Sequence, residues 1–273
     1  MEHFIDIGEE AMSKEKIDNI IEISELNKSF NQEKNNRLQV LNDISFSVKK
    51  GEFICVVGGS GCGKSTLLRT IAGLDIEYEG DHKVNGKSIV GPSKSRGLVF
   101  QEARLFPWMT VEQNVRFALD SGTKKEKDER VRKVLELVHL QDFAKAYPKE
   151  LSGGMAQRAN IARALVDNPP VLLLDEPFGA LDAFTKIQLQ DELLAIQQKE
   201  GTTMIMVTHD IEEAVYLADR VVVLSDRPGN IKDIISIDIP RERSRNESLF
   251  VYKKKKIFDY FFEDVERDED YVI

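Results

Sequence analysis

The stretch FICVVGGSGCGKST, residues 53–66, decides the fold of this chain. Its apolar half reads as a strand buried on both faces, and the half that follows fits the pattern G-x-x-x-x-G-K-[ST]. Glycines in this pattern let successive backbone N–H groups curl around a phosphate. A helix predicted from Lys64 to Ala72, closed by Gly73, aims its positive end at the same anion. The stretch therefore predicts a phosphate-binding loop between a buried strand and a helix.

The composition of the chain excludes several classes of protein. The 273 residues are 41% apolar and 31% charged, which is ordinary for a globular protein in water. No stretch approaches the roughly 18 to 20 apolar residues of a membrane span, and the acidic N-terminus is unlike a signal peptide. We therefore expect a cytoplasmic protein. The net charge of −9 argues against a nucleic-acid partner. Cys55 and Cys62 are too few for a disulfide framework.

Patterns on both sides of residues 53–66 predict the rest of an α/β fold. Alternating residues before it indicate antiparallel strands, and apolar strands alternate with helices from VLLLD (171–175) to RVVVLS (220–225). This alternation is typical of a mainly parallel sheet covered by helices. We predict an extension over 1–20, an α/β core over 21–97 and 158–245, a helical subdomain over 98–157 and a helical or acidic tail over 246–273.

Two carboxylates end the strand VLLLDE. With the phosphate loop (residues 58–66) they suggest phosphoryl chemistry on ATP with Mg²⁺. Lys64 would reach the β- and γ-phosphates and the hydroxyl of Ser65 would bind Mg²⁺. Asp175 would hold the metal's hydration shell, and Glu176 is placed to polarise an attacking water. A strand that ends in acids is common, so this interpretation depends on the phosphate loop.

The segment LSGGMAQR, residues 151–158, places a serine and two glycines at the start of a helix. A simple helix cap by Ser152 explains it equally well when it is considered alone. Together with GGSGCGKST, Gln101, VLLLDE, ALD (180–182) and His209, however, the segment resembles the signature motif of the ABC-transporter ATPase family. The resemblance covers about residues 20 to 240. It implies a P-loop NTPase (RecA-like) core with an antiparallel β edge and a helical ABC subdomain.

The resemblance also implies a head-to-tail dimer in which each ATP lies between the phosphate loop of one copy and the signature of the other. It assigns ATP contacts to Phe30, Gly58, Gly59, Ser60, Gly61, Cys62, Gly63, Lys64, Ser65, Thr66, Ser152, Gly153, Gly154, Gln157 and Asp182. It assigns Mg²⁺ contacts to Ser65, Gln101 and Asp175, and catalytic roles to Lys64, Gln101, Glu176 and His209. Phe30 would stack on adenine, although a phenylalanine packed in the core is the alternative. We also expect a thiol reagent to modify Cys62 unless ATP protects it.

Two further stretches, VFQEARLFPWMTVEQNV and VVVLSDRPGNI, resemble the nitrate, aliphatic sulfonate and taurine importers. That branch implies separate permease subunits and, indirectly, a solute-binding protein, with this chain peripheral at the cytoplasmic face of the membrane. The permease would dock near Leu105, Phe106, Pro107 and Trp108, unless Trp108 packs in the core. An exporter ATPase and a non-transport ABC clamp are the alternatives. The lysine run 253–256 reads as a solvated helix face beside an acidic tail, rather than as a membrane or nucleic-acid site.

Overall fold

The computed structural model describes residues 19–31 and 37–262. Its strands are β1 Asn19–Asn31, β2 Arg37–Lys49, β3 Phe53–Val57, β4 Glu79–Val84, β5 Lys87–Ser88, β6 Arg96–Val99, β7 Val171–Asp175, β8 Thr203–Thr208, β9 Arg220–Leu224 and β10 Ile231–Ser236. Its helices are α1 Lys64–Ala72, α2 Val111–Arg116, α3 Lys124–Leu137, α4 Gly153–Leu165, α5 Ala183–Glu200, α6 Ile211–Leu217 and α7 Ser248–Phe262.

A six-stranded sheet forms the centre of the α/β core. Its order is β10-β9-β3-β8-β7-β6, and neighbours are parallel except for the edge pair β9 and β10. Successive parallel strands need crossovers, and helices α4 to α6 supply them on one face while α1 lies on the other. The predicted parallel sheet is confirmed. Because parallel strands run the same way, the carboxyl ends of β3, β6, β7 and β8 meet at one edge.

The predicted antiparallel edge is a second sheet of order β2-β1-β4-β5. The strands β1 and β2 pair over their whole length, from Asn19 opposite Lys49 to Asn31 opposite Arg37. Strands β4 and β5 were not predicted. The segment EGDHKV carries little apolar alternation, because only His82 and Val84 face inward.

Adjacent residues of each central strand pack into different apolar clusters. Cys55 belongs to a cluster that includes Leu193 of α5 and Phe250 of α7. Its neighbour Ile54 belongs to a second cluster, which contains Leu68 of α1 and the inner face of the antiparallel sheet. Burial on both faces explains why these strands read as continuous apolar runs in the sequence.

The segment between β6 and β7 contains helices and no strand. The structure places Leu98 and Val99 in β6 and continues α4 to Leu165. We therefore propose that the helical part covers about residues 100–165, in place of 98–157. Its helices α2, α3 and α4 bury Val115, Val134 and Ile161 in the first apolar cluster.

The tail from residue 246 begins with α7, and residues 263–273, like the extension 1–18, lie outside the described residues. Two lysines of the run 253–256 are partly buried, since 15% of the side chain of Lys253 and 40% of that of Lys254 are exposed. The Lys253 Nζ donates to the carbonyl of Ser236 at 2.7 Å, and Lys254 pairs with Glu212 at 3.0 Å. The run therefore partly holds α7 on the core instead of forming only a solvated face. Over residues 19–31 and 37–262, no helix is both long enough and apolar enough to cross a bilayer.

Candidate nucleotide-binding and catalytic site

The phosphate loop follows β3 and leads into α1, as predicted. Gly61 and Gly63 have φ values of 76° and 107°, a backbone conformation that side chains disfavour. The Nζ of Lys64 donates to the carbonyl oxygens of Gly58 and Gly59, both at 2.9 Å, and this side chain is almost fully buried. The lysine thus holds the loop curled around its own ammonium group. A phosphate oxygen placed there would meet the same charge.

Cys62 differs from the prediction. Its side chain is 1% exposed and packs in the second apolar cluster, and a Cβ on Gly58 would lie only 2.6 Å from its Sγ. Burial raises the pKa of the thiol. Because the thiolate is the reactive form, the expectation of ready thiol modification is corrected to slow modification. Only the backbone of Cys62 is available to a phosphate.

The hydroxyl of Ser65, at the start of α1, donates to Oδ1 of Asp175 at 2.9 Å. This contact joins the phosphate loop to the end of β7. Burial raises the pKa of Asp175, and the hydrogen bond from Ser65 opposes that effect. The pair offers a hydroxyl and a carboxylate oxygen side by side, which are donors that suit Mg²⁺.

Glu176, His209 and Gln101 lie together beyond the ends of β7, β8 and β6. The Nδ1 of His209 and Oε2 of Glu176 are 3.0 Å apart. A Cβ on Gly179 would lie 3.4 Å from Nε2 of Gln101 and 3.9 Å from Oε2 of Glu176, so both side chains flank this glycine. Glu176 has a φ of 44°, and its N–H donates to the carbonyl of Val207 at 3.0 Å. Strand β8 therefore fixes the backbone of Glu176 in a conformation that is unusual for a non-glycine residue.

The edge of the sheet thus brings together five of the predicted residues, namely Lys64 and Ser65 with Asp175, Glu176 and His209, and it places Gln101 beside them. A cavity of about 110 Å³ lies next to Glu176 and His209 and has Gly179 and Leu181 in its wall. A space of this size beside a carboxylate and an imidazole suits a few water molecules. The arrangement has the parts needed to orient and deprotonate a water near a bound phosphate.

The signature segment, residues 151–154, starts α4 in the helical part. The Oγ of Ser152 accepts a hydrogen bond from the N–H of Met155 at 3.2 Å, so Ser152 caps the helix. Ser152 and Gly153 are exposed, whereas Gly154 is buried against α5. The helix-cap interpretation therefore describes the local geometry. The start of α4 at Ser152 and Gly153 is exposed, and the positive end of the helix dipole there favours an anion.

Gln157, in the same helix, differs from the prediction that it contacts ATP. Its side chain is 3% exposed and its Nε2 donates to the carbonyl of Phe100 at 3.2 Å. Asn160 donates to the same carbonyl, also at 3.2 Å. These two side chains hold the residue that precedes Gln101. The sequence does not show which face of α4 is buried, because small residues occur on several sides of this helix.

Asp182 caps α5, because its Oδ1 accepts from the N–H of Thr185 at 3.1 Å. Hydrogen bonds to Thr185 hold the pKa of this exposed carboxyl below its usual range. Phe30, near the end of β1, is 40% exposed rather than packed in the core. The ammonium of Lys28 lies 4.7 Å from the centre of its ring. An exposed ring is available for stacking.

Trp108 does not pack in the core, since 68% of it is exposed. It stands in the aromatic loop, residues 105–110, where its ring lies 5.5 Å from that of Phe106. Phe106 in turn contacts the edge of Phe117, at 4.9 Å between ring centres, and Phe117 is 60% exposed. Leu105 turns inward against the first apolar cluster. The loop thus presents a small aromatic surface.

Sequence reasoning missed Asn114, which holds the aromatic loop in shape. Its fully buried amide accepts from the N–H of Phe106 at 2.7 Å and donates to the carbonyls of Phe106, Met109 and Thr110 at 3.0–3.2 Å. Arg163 was also missed, and it donates to the carbonyls of Ala103 and Arg104. The only signal available in the sequence is T-V-E-Q, residues 110–113, a capping box that opens α2.

Comparisons with known proteins agree with this geometry. The family model of the ABC transporter matches residues 41–179. The aliphatic sulfonates import ATP-binding protein SsuB of Bacillus cereus is 51% identical over 241 residues, which are 88% of this chain and 95% of that protein. The nitrate import ATP-binding protein NrtD of Synechocystis is 46% identical over 244 residues, 88% and 91% of the two chains.

Solved structures resemble the chain as well. A dimeric structure of the ATP-binding cassette MJ0796 in a post-hydrolysis state, bound to ADP and Pi, superposes with a TM-score of 0.71 at 30% identity. The match covers 81% of this chain and all of that one.

Proposed function

Since the chain belongs to the ABC transporter family, we propose that this ATPase is the ATP-binding subunit of an importer that takes up a small solute through a separate permease. The observation that supports the proposal most strongly is the meeting of Ser65, Asp175, Glu176 and His209 at one edge of the sheet, beside the phosphate loop. The relatives supply the direction of transport, since their names describe import.

Each residue at this edge has a part in the proposed hydrolysis. Lys64 would exchange its two carbonyl contacts for phosphate oxygens, and the loop N–H groups would bind the β-phosphate. Glu176 would accept the proton of the attacking water, and His209, which contacts Glu176, would contact the γ-phosphate from the other side of that carboxylate. Gln101 would complete the site, because it flanks the same glycine as Glu176.

Mg²⁺ fits the pair formed by Ser65 and Asp175, with Gln101 as a further oxygen donor. No group of three or more His, Cys, Asp or Glu suited to a metal occurs in the described part of the chain. Mg²⁺ needs no such group, since it keeps several waters and takes phosphate oxygens as ligands. The ion would neutralise charge on the phosphates.

The signature segment would serve the ATP of a second copy. Ser152 and Gly153 are exposed at a helix start, and one ATP needs only one phosphate loop. Asp182 would bridge the two sites, and Phe30 would stack on adenine. The dimeric cassette MJ0796 supports this arrangement for the present chain.

Substitution of Glu176 by Gln tests the proposed hydrolysis. The variant keeps the hydrogen-bonding shape but loses the base, so we expect ATP binding to persist and turnover to fall by at least about a hundredfold. Gel filtration with ATP and Mg²⁺ should show a trapped dimer. The variant Glu129→Gln, on the exposed face of α3, is the matched control and should hydrolyse ATP like the wild type. Wild-type turnover in Glu176→Gln would remove Glu176 from this role.

The permease would dock on the aromatic loop, with Trp108, Pro107 and Phe106 as its contact surface and Leu105 beneath them. An aromatic side chain on a fixed backbone gives contact area at low entropic cost. Trp108→Ala should keep ATP binding and basal turnover but lose stimulation by the permease. Tyr252→Ala on α7, which removes an aromatic that is 61% exposed, is the control. Equal stimulation of both variants would contradict this docking site.

The solute and the location follow the relatives. We propose a small solute such as a sulfonate, nitrate or taurine, delivered by a solute-binding protein, with this chain peripheral at the cytoplasmic face of the membrane. Proteoliposomes that hold the copurifying permease should take up labelled ethanesulfonate or nitrate when ATP is present on the side of this chain. ATP-driven release would favour an exporter, and ATP hydrolysis with no ATP-dependent movement of either solute would favour a non-transport clamp.

A further inference from the structure

The first turn of α5 contacts two functional segments at once. A Cβ on Gly154 would lie 2.3 Å from Cγ2 of Thr185, so the signature helix packs directly on this turn. The next residue, Lys186, reaches the segment that carries His209, where its Nζ contacts Asp210 and Glu213. Its own N–H donates to the carbonyl of Asp182 at 2.9 Å, which keeps the turn helical.

Lys186 forms two ion pairs beside His209 and lines the same cavity as Glu176 and His209. Its Nζ lies 2.6 Å from Oδ2 of Asp210 and 2.6 Å from Oε1 of Glu213. Glu213 is 5% exposed, and its other oxygen accepts a hydrogen bond from the hydroxyl of Thr208 at 2.5 Å. The same hydroxyl accepts from the N–H of Asp210 at 3.0 Å.

These contacts fix the two residues on either side of the exposed His209. Thr208 and Asp210 are the chain neighbours of His209, and both are fixed through Glu213 and Lys186. The imidazole itself contacts Oε2 of Glu176, at 3.0 Å. The backbone of His209 is therefore placed by groups to which the proposed hydrolysis assigns no role. Burial raises the pKa of Glu213, and Lys186 counteracts this by stabilising the carboxylate.

We propose that Lys186 is a positioning residue that fixes His209 against Glu176 and ties this pair to the helix turn on which the signature segment packs. In the proposed dimer, the signature serves the partner's ATP and His209 serves the ATP of its own copy. A displacement of the signature helix would reach His209 through Gly154, Thr185 and Lys186. Hydrolysis at one site would thereby respond to the occupancy of the other.

The inference rests on the proposed ATP hydrolysis, and its test is the pair Lys186→Met and Lys186→Arg. Methionine keeps the length and apolar stem of the side chain but loses both ion pairs. We expect kcat for ATP to fall at least about tenfold, because small displacements of a catalytic group cost that much, while KM changes less than about twofold. The dependence of rate on ATP concentration should lose its cooperativity. Arginine should restore at least about half of kcat, since it can bind both carboxylates.

The matched control is Lys199→Met, the same substitution at the other end of α5, which should leave kcat, KM and cooperativity unchanged. Glu213→Gln keeps the shape of the buried side chain and removes its charge, so it should also lower kcat with little change in KM. Wild-type kcat in a folded Lys186→Met protein would overturn the inference, and so would equal changes in kcat and KM. If Lys186→Met does not fold, wild-type kcat in Glu213→Gln overturns it. Absence of hydrolysis in the wild type would instead contradict the proposed function.

Discussion

The phosphate loop and the signature segment both place glycines at the start of a helix, yet their own chain surrounds them very differently. A Cβ on Gly58 would meet Cys62, and one on Gly63 would lie 2.6 Å from Leu41. On Gly153 the nearest atom would be 3.8 Å away, on Leu181. The phosphate loop is packed and supplied with a cation by one copy of the chain. The signature segment has Ser152 and Gly153 exposed, and in the proposed dimer a second copy would complete it.

The largest expected effect is on ATP affinity, which should differ between a variant of the phosphate loop and a variant of the signature segment. Lys64→Ala removes the only cation whose ammonium contacts the phosphate-loop carbonyls in the described structure. Since charge-assisted bonds to phosphate contribute about 1.5–3 kcal/mol each, we expect ATP affinity to fall about a hundredfold or more. Ser152→Arg should bind ATP like the wild type. Fluorescent ATP titration measures both, and equal losses would contradict the comparison.

A mixture of two defective variants tests whether each site combines the phosphate loop of one copy with the signature segment of another. Ser152→Arg should block the ATP-driven dimer, because the larger side chain occupies the place of the partner's nucleotide, and hydrolysis should fall at least about tenfold. Mixing this chain with Lys64→Ala should restore part of the hydrolysis, since one composite site then has both intact halves. Mixing Lys64→Ala with Glu176→Gln leaves no intact site and is the control. Recovery in neither mixture would argue against head-to-tail sites.

Within the signature segment, two neighbouring glycines should behave differently. Gly154→Ala brings a methyl group against Thr185, and we expect about 1–3 kcal/mol of destabilisation from this overpacking. Gly153→Ala makes only an ordinary contact with Leu181 and should change the free energy of unfolding by less than about 1 kcal/mol. Urea unfolding of the two variants gives the comparison directly. A larger loss in Gly153→Ala would mean that its exposed side is covered in solution.

The smallest effect concerns the thiol of the phosphate loop. Cys62 and Cys55 are both buried, and burial raises the pKa of each. We expect maleimide at neutral pH to label both slowly in the folded protein and rapidly in urea, with ATP making little difference. Rapid labelling of Cys62 that ATP prevents would restore the earlier expectation and imply that the phosphate loop opens.

The sequence predicted those elements whose local signals agree with their packing. Helix α1, with Gly73 at its end, and strand β7 were predicted to the residue, because a glycine stop and a buried strand leave clear patterns. Strand β4 was missed because its stability comes from pairing with β1, which no local pattern records. Helix α2 has six residues, too few for an apolar period to appear.

The candidate site was predictable where a motif fixes the backbone. It was less predictable where the role of a residue depends on the direction in which its side chain points. The structure places Ser65, Asp175, Glu176 and His209 together, and their roles stay proposals. Gln157 faces the interior. The sequence did not indicate this, because helix α4 has small residues on several sides and no clear apolar face. Lys186 carries no motif at all. Its contacts join residues 186, 208, 210 and 213, and only the fold brings them within reach.

Asn114 separates the shape of the aromatic loop from the chemistry of its surface. All four of its hydrogen bonds go to backbone groups, so the course of the loop does not depend on the side chain of Trp108. Replacement of this exposed side chain would therefore change the surface of the loop without refolding it. At the proposed docking site, the side chain that meets the permease could thus change while the backbone of the loop keeps its course and Gln101, a few residues earlier in the chain, keeps its place.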